Sequence, residues 1–348
     1  VVRIYKCPGC GSEMIYDAGT DRLICPHCGQ TRAIDEVEAQ EASGYSTGLI
    51  GQETADNAGD GMKEYKCPGC GASIVTDEFT AATFCSFCGS PTLIESRVDG
   101  KFRPSRILPF KFDKKAAQEK FKTWTGTGFL TPASFKSQAV MDKVSGIYVP
   151  YWLYSYDARV DIAADCTREF SQREGNLETI TTEHYRVNHT THGRYENVPY
   201  DASEKMPDES MAVLEPFDYS DLRDFKLPYL SGYMAEKYQY SADELGETVR
   251  SELAPDVLNA SVGTIRGYAS VNVIDSDVKF LNETAEYVMC PVWTLNFKYG
   301  GKNYPLYMNG QDGKIDGVLP RSKGKTFLLF AGAFTVCFLL SLLMGGIF

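Results

Sequence analysis

Tyr5-Lys6-Cys7-Pro8-Gly9-Cys10-Gly11 recurs, residue for residue, as Tyr65-Lys66-Cys67-Pro68-Gly69-Cys70-Gly71. Each copy is followed by a second cysteine pair, Cys25 and Cys28 in the first, Cys85 and Cys88 in the second. Both copies read C-x2-C-x14-C-x2-C. That is the ligand spacing of a four-thiolate zinc ribbon, and its repetition in one chain argues against coincidence. A C-x-x-C pair curls into a tight knuckle that offers two thiolates to one ion, and two knuckles complete a tetrahedral site with Zn–S near about 2.3 Å. Gly11, Gly29, Gly71 and Gly89 each follow the second cysteine of a pair, where a positive φ lets the backbone turn close to the sulfur.

A unit of about thirty residues buries too little apolar surface to fold alone, so the metal supplies the missing free energy, on the order of 10–16 kcal/mol. Four cysteines leave no position open for water or substrate. The expectation is two structural zinc ions, held by Cys7, Cys10, Cys25 and Cys28 and by Cys67, Cys70, Cys85 and Cys88. Paired knuckles favour metal over a disulfide framework, and nothing at the amino terminus resembles a signal peptide. No βαβ pattern surrounds the pairs, which disfavours a thioredoxin-like redox role.

The other decisive stretch is Thr326 to Phe348, twenty-three residues without a charge. At 1.5 Å per residue this is long enough to cross a bilayer core of about 30 Å. Arg321, Lys323 and Lys325 precede it, which by the positive-inside tendency puts that side in the cytoplasm. Eight thiolates in a reducing compartment agree. The expected picture is a single-pass, tail-anchored protein of the cell membrane with its bulk in the cytoplasm. Three N-x-[ST] sequons, at Asn188, Asn259 and Asn282, then read as accidental.

The spacing divides the chain into residues 1–34 as the first ribbon, 35–63 as an acidic flexible linker and 64–98 as the second ribbon. Residues 99–320 follow as a cytosolic α+β domain, 321–325 as a basic juxtamembrane segment and 326–348 as the transmembrane helix. The linker assignment rests on seven acidic and no basic side chains over 35–62. In the α+β domain Asp113 is placed to cap a helix through Trp124, and Thr131-Pro132 to start another through Val144. Leu227–Tyr238 and Ala242–Leu258 also read as helical. Ile147–Ala163, Ile180–Val198, Thr264–Ile274, Glu286–Tyr299 and Lys302–Met308 read as strands, the last two joined at Gly300-Gly301 as a hairpin. The fold class is α+β with antiparallel pairing. Pro150-Tyr151-Trp152 and Pro291-Val292-Trp293 echo each other and suggest either equivalent strands of two halves or coincidence.

Catalytic patterns are missing. Gly324-Lys325-Thr326 resembles the end of a phosphate-binding loop, but position 319 is leucine where that motif needs glycine. His184, His189 and His192 sit on one expected strand, with 189 and 192 on opposite faces, and read as ordinary sheet histidines. His27 reads as an exposed knuckle residue, and Cys166, Cys290 and Cys337 as apolar packing residues. The expectation is a protein that is not an enzyme. Residues 101–122 hold eight Lys/Arg against two acids, which reads as a solvated face or, more sharply, as a contact for anionic lipid.

Residues 1–34 carry four basic and three acidic groups, and residues 64–97 two basic and four acidic. With a net charge of −11 for the whole chain, neither ribbon offers the lysines and arginines that phosphate backbones require. Protein docking fits the ribbons better than nucleic acid does.

Taken together, the two C-P-G-C-G ribbons, Ile107-Leu108-Pro109-Phe110, Gly146-Ile147-Tyr148-Val149-Pro150-Tyr151-Trp152-Leu153, Pro291-Val292-Trp293, Met308-Asn309-Gly310-Gln311 and Ser322-Lys323-Gly324-Lys325 resemble a family. It is the YdjG-like family of bacterial membrane-anchored proteins with paired TFIIB-type zinc ribbons. Members are often labelled PriA-like helicases or replication proteins, yet this chain lacks motor motifs. The resemblance implies a membrane adaptor in envelope stress or membrane organisation, with flotillin-like SPFH proteins and PspA-like proteins as partners. The alternative is a membrane-associated accessory to DNA replication or repair that uses its ribbons on nucleic acid.

Overall fold

The computed structural model describes residues 2–42, 48–51, 62–85 and 88–345. The chain divides into two compact units. One comprises Val1–Pro150, Ser203–Lys237 and Met289–Phe348, the other Tyr151–Ala202 and Tyr238–Val288. Two strands of thirty residues, Ser145–Glu174 and Ser270–Tyr299, pass from one unit into the other along their length.

In the first unit both cysteine segments are built into the body. Ile15–Asp17, Arg22–Ile24 and Thr31–Ala33 form a three-stranded antiparallel sheet around the first cluster. Met62–Lys66 pairs with Ser73–Asp77, and Thr80–Phe84 with Pro91–Ile94, around the second. The strand Val2–Tyr5 of the first segment then pairs antiparallel with Pro91–Ile94 of the second, with Arg3 opposite Leu93, and Gly48–Gly51 covers its other edge. Thr80–Phe84 in turn pairs with Met234–Glu236, which runs parallel to Ile147–Tyr148. One continuous ladder thus ties the two segments to each other and to the strand at the centre of the unit.

The acidic stretch 35–63 departs from the expected flexible linker. Ile34–Ala42 is helical and Gly48–Gly51 is a strand, with Lys226 pairing with Asp35 and Glu38 of that helix. Residues 43–47 and 52–61 of that expectation lie outside the described residues. Leu227–Tyr238 is also not the helix that its composition suggests. Pro228 opens a 3-10 turn over Leu227–Leu230, Gly232 stops it at φ 88°, and Met234–Glu236 becomes the bridging strand. Residues 131–144 break into Ala133–Lys136 and Gln138–Met141 because Ser137 is extended between them. The other helix follows expectation: the Asp113 side chain accepts from the Ala116 amide at 2.8 Å and starts Lys114–Thr127.

The core of this unit is aromatic. Phe110 stacks on Tyr233 at 4.4 Å and touches Trp293 at 4.7 Å and Tyr148 at 5.1 Å between ring centres. Such ring pairs add about 0.5–1.5 kcal/mol each beyond area burial. Two glycines let the backbone reach this cluster. A Cβ on Gly146 would lie 2.5 Å from the Tyr233 ring, and one on Gly310 would lie 2.7 Å from Phe110 and 2.8 Å from the Pro291 carbonyl oxygen. Asn309 is buried and donates to the Leu214 carbonyl at 3.0 Å, while its own carbonyl accepts from the Gln311 amide at 2.8 Å.

The second unit holds a long antiparallel pair, the part of Ser145–Glu174 from Tyr151 on with Leu177–Asp201, covered on one face by the helix Ala242–Val262. Alternate residues Ala158, Val160, Ile162, Ala164 and Cys166 point inward and pack with Val257. This is the period-two pattern of a half-buried strand. Ser241 and Glu244 form a reciprocal capping box that starts the helix, worth about 1 kcal/mol. The strand after the helix begins at Ser270, later than the expected Thr264, since Thr264 and Ile265 close the helix end through bonds to Ser261 and Val262.

Replacing Gly310 by alanine should force the Pro291 backbone or Phe110 to move and cost about 1–3 kcal/mol. The expected readout is a lowered thermal midpoint of the detergent-purified chain. A midpoint equal to wild type would mean that the core has slack which this packing does not reveal.

Candidate metal centres

The structure brings together all eight cysteines singled out by spacing, in two groups of four. Within each group every sulfur lies within 4.8 Å of the other three. Cys7–Cys28 and Cys10–Cys25 approach to 3.5 Å in the first, Cys67–Cys88 to 3.7 Å and Cys70–Cys85 to 3.8 Å in the second. A tetrahedron with metal–sulfur bonds of about 2.3 Å has edges of roughly 3.8 Å. The separations therefore suit a shared ion and are far too long for a disulfide at about 2.05 Å. All eleven cysteines are free thiols.

Local backbone chemistry makes each corner. In every knuckle the glycine amide donates to the first cysteine's carbonyl, at 2.8–2.9 Å, as from Gly11 to Cys7 and from Gly71 to Cys67. The four glycines hold φ between 74° and 77°, a left-handed turn that a side chain would strain. The first cysteine of each pair is buried and the second exposed, so each cage has a dry floor and a wet rim.

The protons are unevenly held when no ion is bound. Hydrogen bonding from Ser12 brings the Cys10 thiol down to about 6. Burial pushes the Cys67 thiol up to about 12.

The two cages also share a second layer. Ser90 Oγ sits 3.0 Å from Cys88 Sγ and donates to Glu13 of the other segment. Glu13 pairs with Lys6, and Arg3 with Glu95 at 2.9 Å across the shared strands. Ile4 packs in one cluster with Cys67, Ile74 and Cys85. None of this is visible in the spacing, because it depends on which strands pair.

Other expected groups do not assemble. His184, His189 and His192 form no metal-ligand cluster among the described residues, and His189 bonds Thr264 at 2.7 Å. Cys166 packs in the second unit's core and Cys290 is buried. In the basic stretch Lys111 pairs with Asp218 and Asp221, and Lys120 stands 5.1 Å over the Phe112 ring. Gly324-Lys325-Thr326 lies in the first turns of the helix Lys323–Gly345, where no strand-flanked phosphate loop exists.

That helix is long and apolar enough over Lys323–Ser341 to cross a membrane, and none of this stretch is buried in the protein. It was expected to begin at Thr326; residues 346–348 of the expected span lie outside the described residues.

Sequence reasoning missed one feature near the cages. A cavity of about 480 Å³ is walled by Ile15 and Tyr16 of the first segment, Phe84 of the second, and Gly146, Tyr233 and Trp293 of the body. Trp293 is buried, and its indole N–H has no acceptor among the described residues. The only hint in the sequence was tryptophan two residues after proline, which says nothing of a cavity.

No family model matches the chain, and no solved structure matches it. It is 36% identical over 346 residues to the uncharacterized protein YdjG of Bacillus subtilis (strain 168), covering 98% of both chains. The match runs over nearly the whole of both chains. The chain belongs to the YdjG family.

Proposed function

We propose that this protein is a non-enzymatic adaptor, anchored in the cell membrane by its apolar helix, whose two TFIIB-type zinc ribbons help to dock cytosolic proteins. The observation that carries this reading is how the two cages are used. Four sulfurs close each site, so a bound ion has no open position for water or substrate and acts on shape alone. What the cages shape is a wall of the aromatic cavity at which both ribbons meet the body. A cavity of this size, aromatic within and lined also by Asp17, Asp113, Lys114 and Lys115, suits an apolar side chain flanked by polar groups.

Charge supports a protein partner over nucleic acid. Arg3 and Lys6 are engaged with Glu95 and Glu13, and Arg97 is buried on the Tyr65 hydroxyl and the Asp77 carbonyl. Those cations are not presented to a phosphate backbone. By resemblance the partners are flotillin-like SPFH proteins and PspA-like proteins, and the cytoplasm holds the ribbon-bearing bulk.

Metal analysis of the purified chain should give about two zinc ions per molecule. Cys10→Ser and Cys70→Ser should each remove about one, and a wild-type content of one or none would undo the ribbon assignment. Recovery from solubilised membranes tests the docking role. Wild type should bring down SPFH or PspA-like proteins, and Phe84→Asp, on the exposed lip of the cavity, should lose them while keeping both ions. Recovery of replication proteins instead, with ribbon-dependent DNA binding at physiological salt, would defeat the adaptor reading.

A further inference from the structure

Where the apolar helix leaves the body, its first turn does not stand free. The Ser322 amide donates to the Leu130 carbonyl at 2.8 Å, and Lys325 Nζ donates to the Thr131 carbonyl at 2.7 Å. Beside this tether opens a crevice of about 660 Å³. Gly126, Phe129 and Lys136 line its body wall, and Leu328, Leu329 and Gly332 its helix wall. Gly332 stands nine residues beyond Lys323, or about 13 Å along the helix axis. On the membrane-anchor reading, on which this inference rests, the far end of the crevice lies at hydrocarbon depth and its mouth at the headgroup layer.

The side chains at that level match those two depths. Phe129 is 75% exposed and Val318 71%, a cost in water that disappears at a lipid interface. Lys136 reaches back over the glycine floor, with Nζ 4.0 Å from where a Gly126 Cβ would stand, and makes no ion pair among the described residues. Lys325 lines the crevice with it, and Arg321 and Lys323 stand within four residues of Lys325 in a chain whose net charge of −11 would otherwise repel an anionic bilayer. Water is a poor filling for the leucine wall, whereas an acyl chain fills it without loss.

We propose that this crevice binds one anionic phospholipid. Its acyl chain lies along Leu328 and Gly332, and its headgroup phosphate meets the Lys136 and Lys325 ammonium groups. The basic stretch 101–122 is a poorer lipid contact, because Lys111 is engaged with Asp218 and Asp221.

Native mass spectrometry of the full chain released from detergent, with phosphatidylglycerol and phosphatidylcholine of equal chain length offered together, tests the site. Wild type should retain one phosphatidylglycerol in preference to phosphatidylcholine. Lys136→Gln should cut that preference about fivefold, as expected for one interfacial cation. Gly332→Phe should reduce retention of both lipids by filling the acyl slot, whereas Lys302→Gln, outside the crevice, should change nothing. Inorganic phosphate at matched concentration should not displace the lipid. Equal retention of the two lipids, an unchanged preference in Lys136→Gln, an equal drop in Lys302→Gln, or displacement by phosphate would overturn the proposal. Carbonate extraction separates it from the anchor reading. A chain that stays in the membrane without lipid preference loses only the crevice, and a chain that washes off loses both.

Discussion

A cysteine ribbon of some thirty residues cannot hide enough apolar surface to hold itself together, and this shortage governs the amino-terminal half of the molecule. Two remedies are combined. Four sulfurs in each segment converge to within reach of one ion, which would tie the knuckles at their tips. The strands between the knuckles then borrow core from elsewhere. Val2–Tyr5 leans on Pro91–Ile94, and Thr80–Phe84 on Met234–Glu236. Tyr16 is buried against Tyr229 and Tyr233, and its amide donates to the Ser231 carbonyl at 2.8 Å. Neither ribbon is therefore a free module.

The cages were legible at the level of single residues, because metal coordination acts over short sequence distances and leaves a rigid spacing. The eight clustered cysteines and the four left-handed glycines could be read directly. Long strands with strict alternation were legible for a similar reason, as was the Asp113 cap. What escaped was whatever depends on partners far away in sequence. Leu227–Tyr238 has helical composition, yet the empty sheet edge beside Thr80–Phe84 turns its end into a strand. The acidic stretch after the first ribbon has the composition of a linker, yet Lys226 and the open edge of Val2–Tyr5 give parts of it structure.

The two P-x-W echoes make the same point. Trp152 donates its indole N–H to the Tyr240 carbonyl at 2.9 Å in the second unit. Trp293 belongs to the first unit, packs among Phe110, Phe112 and Tyr233, and its indole N–H has no acceptor among the described residues. The first tripeptide straddles the boundary between the units at Pro150 and Tyr151, whereas the second lies wholly within the first unit.

Strand sharing changes what the second ion can mean. On a flexible linker the two ribbons would lose their metals independently, and the loss of one would leave the other's surface intact. Here Ile4 of the first ribbon packs with two sulfur-bearing residues of the second, and Glu13 reaches the second cage through Ser90. Opening either cage withdraws strand, core and hydrogen-bond partners from the other, so the two sites are coupled through contacts already present. Both also wall the cavity with Trp293 at its back. The shape of that cavity therefore reports on the filling of both cages together. On the zinc-ribbon reading, two ribbons joined through shared strands wall one recess together, with Ile15 and Tyr16 from the first and Phe84 from the second, which neither would do alone.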